Sequence, residues 1–121
     1  MPVTDGRTRC LLHDVDSLAQ LGIPVGMHGK LPDVVAHDAE KDWLFLIEAV
    51  TSHGPVSAKR RMELESALGL SRPGRVYVSA FPDFGTFKKY AQDVAWETEV
   101  WIADAPEHLL HYNGDRFYGP R

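Results

Sequence analysis

Apolar positions along this chain fall into two periods. Residues 32–37 and 43–50 are predominantly apolar runs of strand length, joined by the polar stretch His37-Asp-Ala-Glu-Lys-Asp, and short apolar runs bounded by turn residues read as strands. The second run, Trp43-Leu-Phe-Leu-Ile-Glu-Ala-Val, is the most apolar segment, which predicts a central strand covered on both faces. Gly54-Pro55 breaks it. Ser57 is then placed to cap a helix running to about Leu68, with Leu64, Ala67 and Leu68 on one side and Gly69 near its C-terminus. Residues 75–80 read as a strand. Phe84, Phe87, Ala91, Val94 and Ala95 recur at helical spacing over 84–95, and residues 98–103 form a further strand. From Pro32 the order is β, β, α, β, α, β, and alternation of this kind implies right-handed crossovers and a mixed sheet with helices packed on it, an α/β fold.

The flanks are less patterned. The first ten residues are polar and rich in turn formers, as expected of a frayed terminus. Residues 14–21 predict a short helix stopped by Gly22, and residues 23–30 a connector. Asn113-Gly114 predicts a turn in a terminal hairpin. The division expected is an N-terminal extension with a short helix over 1–20 and the α/β domain over 21–121.

Each of the first two strands carries one acid in apolar surroundings, Asp33 and Glu48. Two carboxylates on neighbouring strands repel one another and lose hydration unless a cation offsets them. A hard divalent ion such as Mg²⁺ does so, taking one or two carboxylates and filling its other positions with water and substrate phosphate oxygens. The competing reading of Asp33 is a turn residue after proline, and of Glu48 a solvated strand end.

Composition narrows the picture only a little. At 121 residues the chain has the length of one domain, and 44% hydrophobic with 25% charged residues is an ordinary globular composition for which disorder is not expected. A net charge of −4 is not that of a typical nucleic-acid binder, although positive charge is concentrated at Lys59, Arg60 and Arg61 and at Lys88 and Lys89. The single Cys10 rules out an internal disulfide and a zinc ribbon. With no apolar run of membrane-spanning length and no signal-peptide core, a cytoplasmic protein is the expectation.

Longer strings carry a specific resemblance. They are His28-Gly-Lys-Leu-Pro-Asp-Val-Val, the run from Trp43 through Thr51-Ser-His-Gly-Pro-Val-Ser-Ala-Lys-Arg-Arg, Ala80-Phe-Pro-Asp, Thr86-Phe-Lys-Lys-Tyr, Ala95-Trp-Glu-Thr-Glu-Val-Trp-Ile-Ala, and His111-Tyr-Asn-Gly-Asp-Arg-Phe. From Leu21 to the end the chain closely resembles the catalytic C-terminal part of the BsuBI/PstI type II restriction endonucleases, within the PD-(D/E)xK nuclease superfamily. The resemblance implies a restriction-endonuclease-like core, Mg²⁺-dependent cleavage of double-stranded DNA at CTGCAG, and a homodimer for cutting both strands. It also implies a separate N-terminal recognition region that these residues lack.

Carried onto this sequence, the resemblance makes Asp33 and Glu48 metal ligands and catalytic residues. The motif departs at one place: Val50 stands two positions after Glu48, where a lysine is expected. Lys59 is the first candidate to supply the missing cation and Lys30 the second. Lys30, Ser57, Arg60 and Arg61 are candidates for phosphate and DNA contacts, against the simpler reading of a solvated helix face. His53 is a minor candidate for general base. Lys59 with Glu63 and Arg61 with Glu65 are spaced as i, i+4 pairs, and Trp96 and Trp101 read as packing residues. The alternative functions are a non-catalytic DNA- or protein-binding remnant of this fold and a repair or junction nuclease on the same scaffold.

Overall fold

The structure is a computed structural model that describes residues 8–10, 20–22, 31–51, 54–69, 71 and 73–114. Of the helix expected over 14–21 only the last two residues fall within these, Gln20 being helical and Leu21 buried, with Gly22 at φ 86° just after. The connector over 23–30 lies outside them.

Among the described residues six strands form one sheet in the order of the chain. They are β1 (Thr8–Cys10), β2 (Val34–Asp38), β3 (Trp43–Ala49), β4 (Gly74–Phe81), β5 (Glu99–Ile102) and β6 (Leu109–His111). Helix α1 (Ala58–Leu68) connects β3 to β4, and α2 (Phe84–Tyr90) with a 3-10 turn (Ala91–Asp93) connects β4 to β5. The β3–β4 and β4–β5 pairs are parallel, and β1–β2, β2–β3 and β5–β6 are antiparallel.

The turn between β2 and β3 is built by Asp38, whose Oδ1 accepts from the amides of Glu40 and Lys41, and by Asp42 at φ 54°. Ser57 caps α1 by accepting from the Arg60 amide, and Gly69 ends it at positive φ with its N–H on the Glu65 carbonyl. Leu64, Ala67 and Leu68 are the buried side of α1. Leu64 and Leu68 join Val35, Leu44, Leu46, Val56 and Tyr77 in one apolar cluster, while Val50, Phe81, Val94, Val100 and Ile102 make a second. The register pairs Leu46 with Tyr77, Glu48 with Ser79 and Ser79 with Val100. Because side chains alternate across a strand, both clusters and Glu48 lie on one face, the face the helices cover.

Four expectations change. Thr8–Cys10 pairs with β2 as an edge strand instead of fraying. The terminal hairpin is β5 with β6, so its turn precedes Leu109 and Asn113-Gly114 lies beyond it. On β3 only one face is fully covered, since Trp43 is 41% exposed and Phe45 half-buried on the other. The helix predicted to Ala95 stops at Tyr90, because the backbone bond that would continue it is replaced on both sides. The Ala95 amide donates to the Val56 carbonyl, and the Ala91 carbonyl accepts from the Tyr112 hydroxyl at 2.7 Å. Tertiary partners override helical periodicity here.

Candidate active site

Asp33 immediately precedes β2, and Glu48 is the penultimate residue of β3. The antiparallel register pairs Val34 with Ile47, so one further step sets Asp33 opposite Glu48. Facing residues in such a pair project to the same side with Cβ atoms about 5 Å apart. This end of β3 is also the carboxyl edge of the parallel strands, where open α/β sheets receive ligands.

Both acids are held. Asp33 Oδ2 accepts from the Ala49 amide at 2.8 Å, and Glu48 Oε1 accepts from Arg60 Nη2 at 2.9 Å. The second oxygen of each has no partner among the described residues. No group of three or more His, Cys, Asp or Glu side chains gathers among the described residues, so the donor set is a carboxylate pair. That set fits a hard cation which fills its other positions with water, and Asp33 and Glu48 are the residues that could hold one.

Glu48 opens into a cleft of about 550 Å³ lined by Gly54, Pro55, Ser57, Arg60, Tyr90 and Asp93. Its far wall comes from the end of α2, brought close because the Ala95 amide is tied to Val56. Its near wall is anchored by buried Ser79, whose hydroxyl oxygen accepts from the Val56 amide at 2.9 Å.

The basic cluster divides three ways. Arg60 enters the cleft and reaches Glu48. Lys59 is exposed and is not part of the cleft lining. Arg61 turns away, donating to the Trp96 carbonyl at 3.0 Å with its guanidinium 5.9 Å from the Tyr77 ring. Ser57 lines the cleft while its side chain caps α1. Lys30 and His53 lie outside the described residues.

The expected i, i+4 pairs take other partners. Glu63 is 3.8 Å from Arg60, and Glu65 is paired with Arg75 and accepts from the Tyr77 hydroxyl at 2.6 Å. Burial, and then that hydrogen bond, push the Tyr77 phenol well above its ordinary range. Val50, at the place of the missing lysine, is 1% exposed and packs among Phe81, Val94, Val100 and Ile102. A side chain at this position points into the core, which is why the cation next to Glu48 comes from α1. Sequence reading missed Arg60 as the partner of Glu48, and missed Tyr90 and Asp93 in the cleft. The Ser57 cap puts Lys59 and Arg60 together in the first turn of a helix that starts beside the end of β3, and no sequence signal singles out Arg60.

The family model described as the BsuBI/PstI restriction endonuclease domain matches residues 1–115. The chain belongs to this family. It is 54% identical over 107 residues to the type II restriction enzyme BsuBI of Bacillus subtilis, covering 88% of this chain and 34% of that protein. To the type II restriction enzyme AplI of Arthrospira platensis it is 33% identical over 86 residues, or 71% of this chain and 26% of that one. Among solved structures, the SdaI restriction endonuclease superposes with a TM-score of 0.75 at 42% identity, covering 85% of this chain and 32% of that one. The fold is thus the restriction-endonuclease-like α/β fold. The chain spans about a third or less of the length of these relatives. Among the described residues no helix is long and apolar enough to cross a membrane.

Proposed function

We propose that this chain is the nuclease domain of a type II restriction endonuclease, hydrolysing phosphodiester bonds of double-stranded DNA at CTGCAG with Mg²⁺ held by Asp33 and Glu48. The observation that carries the reading is the register of β2 and β3, which sets these two acids side by side at the carboxyl edge of the parallel strands.

In this reading the Ala49 amide fixes the orientation of Asp33, and Arg60 offsets the charge of Glu48 before the cation binds. A divalent cation at the pair, when bound, supplies Lewis acidity toward the phosphoryl oxygen and an acidified water for in-line attack. Lys59 stands exposed in the first turn of α1, placed to meet the DNA backbone, and Arg60 faces the scissile phosphate from inside the cleft, where preorganised charge stabilises the transition state. Lys30 and Arg61 are further candidates for phosphate contacts by their charge alone. Two such sites, one per strand of a palindrome, call for a two-fold homodimer, and the working protein is a cytoplasmic one.

The test is digestion of matched plasmids with and without CTGCAG sites by the 121-residue chain. Discrete fragments from the site-bearing plasmid alone are expected with Mg²⁺ and absent with EDTA. Equal degradation of both plasmids contradicts the assigned site. No cleavage by a folded chain favours the non-catalytic binding module, for which the replacement of the motif lysine by Val50 is the supporting observation.

A further inference from the structure

The guanidinium of Arg60 and a divalent cation at the Asp33–Glu48 pair address the same carboxylate. Arg60 Nη2 is 2.9 Å from Glu48 Oε1, with the two side chains 25% and 16% exposed, so the contact is partly withdrawn from water. Arginine does not shed its proton in proteins. A cation on the second oxygen of Glu48 still sits within a few ångströms of the guanidinium, and the resulting repulsion is relieved when the guanidinium moves away.

The structure provides for such a move. The Arg60 backbone is fixed, since its amide donates to Ser57 Oγ at 3.1 Å. Its side chain has a second acidic neighbour, Glu63 Oε1, 3.8 Å from Nη1 and on a side chain 53% exposed toward solvent. A side-chain rotation from Glu48 toward Glu63 needs no change in the backbone of α1.

We propose that Arg60 is a positioning residue in negative coupling with the metal site. Cation binding at Asp33 and Glu48 releases Arg60 from Glu48 toward Glu63 and the DNA phosphate, so that the cation delivered to the substrate becomes available only when the metal is in place. This rests on the metal-site reading above. Because coupling is reciprocal, removing the arginine must strengthen cation binding by the factor with which the cation weakens the ion pair.

The test is isothermal titration of Ca²⁺ into the 121-residue chain, wild type beside Arg60→Gln, Arg60→Lys and Glu48→Gln, with circular dichroism confirming the fold of each. Arg60→Gln is expected to bind Ca²⁺ about tenfold more tightly, the size of effect one unit charge exerts at a few ångströms in a partly shielded site. Arg60→Lys keeps the charge and stays within about twofold of wild type. A merely structural role for Arg60 predicts the opposite sign. Unchanged or weaker binding in Arg60→Gln, with binding still abolished in Glu48→Gln, overturns the coupling alone. Absence of binding in wild type, or binding untouched by Glu48→Gln, overturns the metal site and the coupling with it.

Discussion

Asp33 Oδ2 accepts a hydrogen bond from the amide of Ala49 across 2.8 Å, joining the residue that enters β2 to the residue that ends β3. The bond orients one carboxylate and closes the strand pair at the edge where the second carboxylate sits. Asparagine can keep the bond without the charge, so Asp33→Asn should leave stability near wild type, while Asp33→Ala should cost about 1 kcal/mol in urea unfolding. Both should reduce DNA cleavage by about 1000-fold, since a metal-held water accounts for several kcal/mol of barrier.

Val50 tests why the motif lysine is missing. Val50→Lys places an ammonium among Phe81, Val94, Val100 and Ile102. A buried unpaired charge carries a large desolvation cost, and we expect a loss of about 3 kcal/mol or more with no gain in cleavage, measured by denaturant midpoint and by plasmid digestion. Retained stability with raised activity contradicts the assignment of the local cation to α1.

Ser79 ties the cleft wall to the sheet. It is fully buried and accepts from the Val56 amide. Ser79→Ala leaves that buried amide without its partner, at a cost of about 1–3 kcal/mol, and frees the start of α1 that presents Arg60. Urea unfolding should show the loss, and hydrogen exchange should quicken at Val56.

Stability should fall at both pH extremes for separable reasons. Asp83 caps α2 by accepting from the Thr86 amide, and that hydrogen bond holds its carboxyl below its ordinary range. A lowered folded pKa gives stability that is present above the unfolded value and lost as pH drops through the folded one. Asp83→Asn keeps a cap and should flatten the acid limb of the midpoint-against-pH curve. The Tyr77 phenol is raised, so its contribution is full below the unfolded value of about 10 and falls above it. Tyr77→Phe should flatten the alkaline limb.

The strands β2 to β5, helix α1 and the start of α2 were legible because apolar runs of strand length, helical spacing, the Ser57 cap and Gly69 agree locally. The two acids were legible because charge in an apolar strand is anomalous. What could not be read was set by contacts distant in sequence. The end of α2 depends on Val56 and Tyr112, and the edge strand Thr8–Cys10 has polar residues that acquire strand geometry only by pairing with β2. Arg60 and Lys59 are adjacent cations in one helix turn, and nothing local distinguishes the one that faces Glu48.

The most direct measurement is single-turnover cleavage of a labelled CTGCAG duplex with Mg²⁺ by wild type, Asp33→Asn and Glu48→Gln, each verified as folded. The account predicts cleavage of both strands by wild type and a loss of about 1000-fold in each variant. Cleavage by either variant at the wild-type rate contradicts the assignment of the Asp33–Glu48 pair as the catalytic centre.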